Sequence, residues 1–109
     1  MKYTIYQIAD IEETRYSFMG FDYAKKYNFA FSDYEKVYEG ETDDLPCKSG
    51  FADNELEDIF FTFNEMHPED FESRSLSVSD IVVLEDPETG VCTFHYCNSF
   101  GWRDITKEV

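Results

Sequence analysis

The stretch 75–102, SLSVSDIVVLEDPETGVCTFHYCNSFGW, leaves the chain few ways to fold. Two apolar arms, 81–84 and 91–97, flank the segment Asp86-Pro87-Glu88-Thr89-Gly90. Pro87 presets φ near about −65° and Gly90 accepts positive φ, so the reversal between the arms is chemically specified. β-branched and aromatic residues fill both arms, the composition of a half-buried hairpin. Upstream, Ser75-Leu76-Ser77-Val78-Ser79-Asp80 alternates hydroxyls with apolar residues. Those hydroxyls and the Asp80 carboxylate are suited to bond nearby backbone N–H groups and fix a bend or bulge. Downstream, Asn98-Ser99-Phe100-Gly101-Trp102 sets the single Trp beside a glycine, a point of close packing. The hairpin is therefore expected at the centre of a sheet on which the other segments are laid.

The remaining segments supply partners for it. Residues 3–8 alternate Tyr3 and Ile5 against Thr4, Tyr6 and Ile8, an opening strand. Phe18, Phe21, Ala24 and Tyr27 recur at helical spacing, so a short helix is expected over 18–27, with Lys25 and Lys26 favourable in its last turn and Asn28 as its cap. Residues 34–40 place Tyr34, Lys36 and Tyr38 on one side and read as an edge strand, and 41–51 as a loop. Asp53 or Asn54 can cap a helix over 53–66, whose Leu56, Ile59, Phe60 and Phe63 form one apolar stripe and which Pro68 stops. A short closing strand is placed at Asp104-Ile105-Thr106. The expected fold is α+β: one domain, residues 1–109, with a mainly antiparallel sheet, two helices packed on it, and the order β-α-β-α-β-β.

Charge narrows the function. Between residues 33 and 72 lie fourteen acids and two bases, a net −12 of the chain's −15. Such a field repels nucleic acid and membrane surfaces and steers the chain towards cationic ones. It is not interleaved with Lys and Arg as surfaces usually are, and carrying it costs stability through self-repulsion. No apolar run approaches the roughly 20 residues of a membrane helix. The opening residues alternate and turn acidic early, unlike a signal peptide, so a cytoplasmic location is expected. Three cysteines, Cys47, Cys92 and Cys97, are then expected as reduced thiols.

Catalytic and metal chemistry find little support in the residues. Cys92-x-x-His95-x-Cys97 has metal-like spacing, but positions 92 and 97 of a strand face opposite ways and cannot close one tetrahedron. Ser75, Ser77 or Ser79 with Asp80 and His95 have the residue types of a nucleophile, an orienting acid and a base. No nucleophile-elbow pattern surrounds these serines, and turn-forming hydroxyls explain them. Neither a basic patch nor a phosphate-binding glycine motif occurs, so direct nucleic-acid or nucleotide binding is not expected, and neither is a cofactor.

Several blocks together carry a resemblance: Tyr3-x-Ile5-Tyr6-Gln7-Ile8, Phe18-Met19-Gly20-Phe21, Tyr34-x-x-Val37-Tyr38-x-Gly40, Phe63-Asn64-x-x-x-Pro68-x-Asp70-Phe71, the SLSVSD segment and Asn98-Ser99-Phe100-Gly101-Trp102. They resemble the YodL-like domain, a family of plasmids, phages and conjugative elements of Gram-positive bacteria. The resemblance assigns no catalytic residue. It implies an anti-CRISPR inhibitor of a type II RNA-guided DNA nuclease, acting in the host cytoplasm. Such a protein would act as an acidic nucleic-acid mimic that occupies the nuclease's basic groove and blocks guide RNA loading or target DNA binding. An antirestriction or conjugation accessory module is the alternative, and a small hydrolase the third reading. Glu39, Glu41, Asp43, Asp44, Glu55, Asp58, Glu69 and Asp70 are the expected contacts, with Tyr38 as an aromatic anchor beside them.

Overall fold

The computed structural model describes residues 1–46 and 55–109. Cys47 and the helix-capping positions Asp53 and Asn54 fall outside the described residues, as do residues 47–51 of the loop expected over 41–51. Five strands form one antiparallel sheet: β1 (Lys2–Ile8), β2 (Tyr34–Glu41), β3 (Ile81–Glu85), β4 (Cys92–Cys97) and β5 (Trp102–Asp104), in the spatial order β2-β1-β3-β4-β5. Two helices accompany it, α1 (Phe21–Lys26) and α2 (Glu55–Glu65). The class is thus mixed α+β. The expected order β-α-β-α-β-β is too simple: 3₁₀ turns at Phe31–Asp33, Thr42–Asp44 and Thr106–Glu108 punctuate it.

The middle strand explains the layering. Ile81, Val82, Val83 and Leu84 of β3 are all buried, so this strand has no wet face. Val82 and Leu84 join Tyr3 and Ile5 in a core closed by Ile59 and Phe63 of α2. Ile81 and Val83 face the other way, into a core with Ile8, Tyr96 and the α1 residues Phe21 and Ala24. The two helices therefore cover opposite faces of the sheet, and the unbroken apolar run of β3 is what a strand covered on both sides requires. Its turn to β4 is tied as the residues specify. Asp86 O accepts from the Gly90 N–H at 2.8 Å, Asp86 Oδ1 accepts from the Glu88 N–H at 2.8 Å, and Gly90 has φ +73°.

Three boundaries differ from expectation for local reasons. The first helix begins at Phe21 and not Phe18, because Phe18 sits at φ +64°, outside the helical region. Gly20 offers no side-chain cap, and Asn98 supplies one from the far side of the sequence, its Oδ1 accepting the Phe21 N–H at 2.8 Å. Asn28 closes the helix at φ +60°, a conformation asparagine tolerates. The closing strand is Trp102–Asp104, two residues earlier than placed, and Ile105 turns into the α1-side core, fully buried.

The strand β2 carries a β-bulge. Ile5 pairs with Tyr38 but Tyr6 pairs with Lys36, so Val37 is an extra residue that resets the alternation. Tyr34 and Tyr38, expected on one side, therefore face opposite cores: Tyr34 stacks on Phe31 and Tyr16, Tyr38 on Tyr3. Among the described residues no helix is long and apolar enough to cross a membrane.

Candidate functional site

The SLSVSD segment folds into a buried polar clasp. Asp80 is fully buried, and both its oxygens accept from Arg74 Nη1, at 3.0 and 3.1 Å. Its Oδ2 also accepts from the Ser77 N–H at 2.9 Å and from Gln7 Nε2 at 3.1 Å, while Gln7 Nε2 donates in addition to Arg74 O. Ser79, at φ +85°, accepts the Phe18 N–H on its hydroxyl and the Tyr34 hydroxyl on its carbonyl. Arg74 lies over the Phe18 ring at 5.1 Å. Burial pushes the Asp80 carboxyl up to about 6 even though Arg74 pulls it down. The clasp thus pins the segment before β3 to β1 and to the turn before α1, a structural task for the residues read as bend-forming.

The hydrolytic constellation is not brought together there. The Ser79 hydroxyl is taken by Phe18, His95 is bonded to the Thr93 hydroxyl at 2.8 Å, and no hydrogen bond joins any two of Ser79, Asp80 and His95. Cys92 sits on the face of Phe94 and Tyr96, Cys97 on that of Trp102, as strand alternation requires. Burial pushes the Cys97 thiol up to about 12. Among the described residues no group of three metal-ligating side chains occurs.

The acidic residues are sorted by the fold. Tyr38, Glu41, Asp44 and Glu69 line one groove of about 660 Å³. Tyr3, Tyr38 and Gly40 form its floor. One wall is Glu41, Asp44, Leu45 and Pro46 at the end of β2, the other Thr62, Glu65 and residues 66–69 at the end of α2. Asp70 adjoins it by accepting the Tyr38 hydroxyl at 2.9 Å. Among the described residues no Lys or Arg lines the groove. The amino terminus of Met1 lies 3.6 Å from Glu41. α2 ends beside it with no basic residue in its last turn, so the negative end of the helix adds to the same field.

The other expected contacts lie elsewhere. Glu39 is flanked by Lys2 at 3.5 Å and Lys36 at 3.7 Å, neighbours that quench it. Asp43 is exposed on the 3₁₀ turn and Glu55 stands in the first turn of α2; neither lines the groove. Asp58 is buried at 6% exposure on the inward face of α2. Sequence reasoning passed over Tyr3, Glu65 and Met66 as site residues. Glu65 lay within the counted acidic run, whereas Tyr3 read as ordinary strand core and gave no signal.

Fold and site together define a class: an acidic α+β domain pinned by a buried arginine–aspartate clasp and opening on a carboxylate-rimmed, aromatic-floored groove. The chain belongs to the YodL-like domain family, whose sequence model matches residues 2–107. No curated protein and no solved structure matches it.

Proposed function

We propose that the chain is a non-catalytic binding protein that occupies a basic, nucleic-acid-binding surface of another protein, and within that class an anti-CRISPR inhibitor of a type II RNA-guided DNA nuclease. The observation that carries the reading is the groove: four of the chosen contacts converge on it, and among the described residues no Lys or Arg lines it. Fixed carboxylates can stand where phosphates otherwise sit, as counter-ions for a partner's lysines and arginines. An RNA-guided nuclease holds its heteroduplex in a positively charged channel and reads a short duplex motif with arginines, so it presents such a surface. Before the guide is loaded more of that surface is open, which favours a block at guide loading. Binding of this kind is fast and weakened by salt.

The test reverses four groove charges together, Glu41, Asp44, Glu65 and Glu69 to Lys. Parent and variant are mixed with guide-free nuclease, guide-loaded nuclease and a restriction enzyme, and each mixture is run on a sizing column beside a cleavage assay. The parent is expected to co-elute with guide-free nuclease and to silence it at one-to-one stoichiometry, and the folded variant to do neither. A folded variant that inhibits as well as the parent rules out the electrostatic mechanism. Co-elution with the restriction enzyme alone replaces the nuclease reading with an antirestriction one.

A further inference from the structure

The floor of the groove holds a group that packing does not require. Tyr3 is 4% exposed, with its ring stacked on Tyr38 at 6.4 Å and edge-on to Phe63 at 6.0 Å, contacts a phenylalanine would make equally well. Its hydroxyl lies over Gly40, where an added Cβ would come within 2.9 Å of Oη, and it has no hydrogen-bond partner among the described residues. That oxygen opens to the groove with no donor of the described residues engaging it, and is free to accept from a ligand. The neighbouring Tyr38 is different: its hydroxyl is already committed to Asp70, so it offers the groove only its ring.

We infer that this groove receives an arginine side chain of a protein partner, with the Tyr3 hydroxyl as the acceptor at its floor. The inference rests on the reading above that the partner surface is cationic, and it names what that surface must present. A guanidinium is planar, carries five N–H donors and no acceptor, and stacks on aromatic faces. The groove answers each property. Tyr38 gives a flat face, Tyr3 an oxygen at depth, Glu65 and Glu69 carboxylates at the rim, and Met66 an apolar path for the stem. A lysine ammonium is a compact, strongly hydrated point charge that the rim alone can satisfy. Anionic ligands are repelled. Burial, helped by Asp44 and Asp70, also raises the Tyr3 phenol above its ordinary value, so it stays neutral at physiological pH.

The experiment is an NMR titration of the whole chain at low salt with three capped pentapeptides, Gly-Gly-X-Gly-Gly, where X is arginine, lysine or citrulline. The arginine peptide is expected to shift the backbone signals of Gly40, Glu41 and Met66 and to bind several-fold tighter than the lysine peptide. The neutral citrulline isostere is expected not to bind. Tyr3→Phe, which removes no hydrogen bond of the free chain, should keep the melting temperature and weaken the arginine peptide about tenfold. Equal binding of arginine and lysine, or arginine binding untouched by Tyr3→Phe, overturns the inference, and so do shifts confined to another face. The three-peptide comparison on the parent needs no variant to fold. Arginine binding at the groove without co-elution with any nuclease would sink the proposed function and leave this site standing. Co-elution and inhibition with no preference for arginine would do the reverse.

Discussion

Asp80 is the residue on which the clasp turns, and its titration gives a signed prediction. Its carboxyl rises from an ordinary 3.8 to about 6 because burial outweighs the pull of Arg74. Between those values the native chain holds a proton that the unfolded chain has released. The stability linked to this proton is therefore complete below about pH 4 and is lost as the pH rises through about 6, a change on the order of 3 kcal/mol. Many surface acids titrate in the same window, so the parent alone would not isolate the effect. Urea unfolding of the parent and of Asp80→Asn, at a series of pH values from about 4 to about 7, removes that background by difference. The parent should lose stability relative to the variant across the window. A flat difference would show that Arg74 fully offsets the burial of the carboxylate.

At the scale of elements, the bulge in β2 sets Tyr34 and Tyr38 on opposite sides of the sheet. Deleting Val37 would remove the bulge while keeping the pairs Ile5–Tyr38 and Tyr6–Lys36 as consecutive rungs, so Tyr38 should stay on Tyr3, Phe63 and Phe71, on which its ring now packs. Tyr38→Ala, which removes that ring, should cost about 3 kcal/mol and lower the melting temperature by roughly 12 °C in thermal unfolding. The Val37 deletion should cost far less, because Val37 is only partly buried against that core, which separates the extra residue from the ring it positions. The bulge also marks where sequence reading stopped. β3 was legible from Ile81-Val82-Val83-Leu84, because four consecutive apolar residues bounded by turn chemistry have few other fates. α2 was legible from its Ile59 and Phe63 spacing. The start of α1 was not, because its cap comes from Asn98 and its forerunner Phe18 is held at positive φ by a bond to Ser79, both set by partners more than sixty residues away. Half of the groove was legible as acid content, and Tyr38 of its floor as an aromatic beside it; Tyr3 was not, since a strand pattern cannot say that one tyrosine hydroxyl will lack a partner.

On the scale of the whole molecule, the net charge of −15 should make stability depend on salt. The Debye length falls from about 30 Å at 0.01 M to about 8 Å at 0.15 M, so added salt screens repulsion among acids that lie several residues apart. Apart from Arg74–Asp80, the described ion pairs, such as Lys2–Glu39 and Lys25–Glu108, are surface-exposed and contribute little that screening could remove. Sodium chloride should accordingly raise the melting temperature over that range. A fall would mean that the exposed pairs outweigh the crowding of carboxylates. Added salt is also expected to weaken capture of a cationic partner, so the chain should be most robust where it binds least well.

The Asn98 cap on α1 ties the order of synthesis to the completion of the fold. A six-residue helix is far too short to persist alone in water. The residue that satisfies its first N–H, and the tyrosine whose hydroxyl bonds Met19 O at 2.6 Å, both lie at the end of β4 or just beyond it. The helix must therefore wait on the ribosome until residue 98 has emerged, and a product truncated before that turn would leave one face of its sheet uncovered.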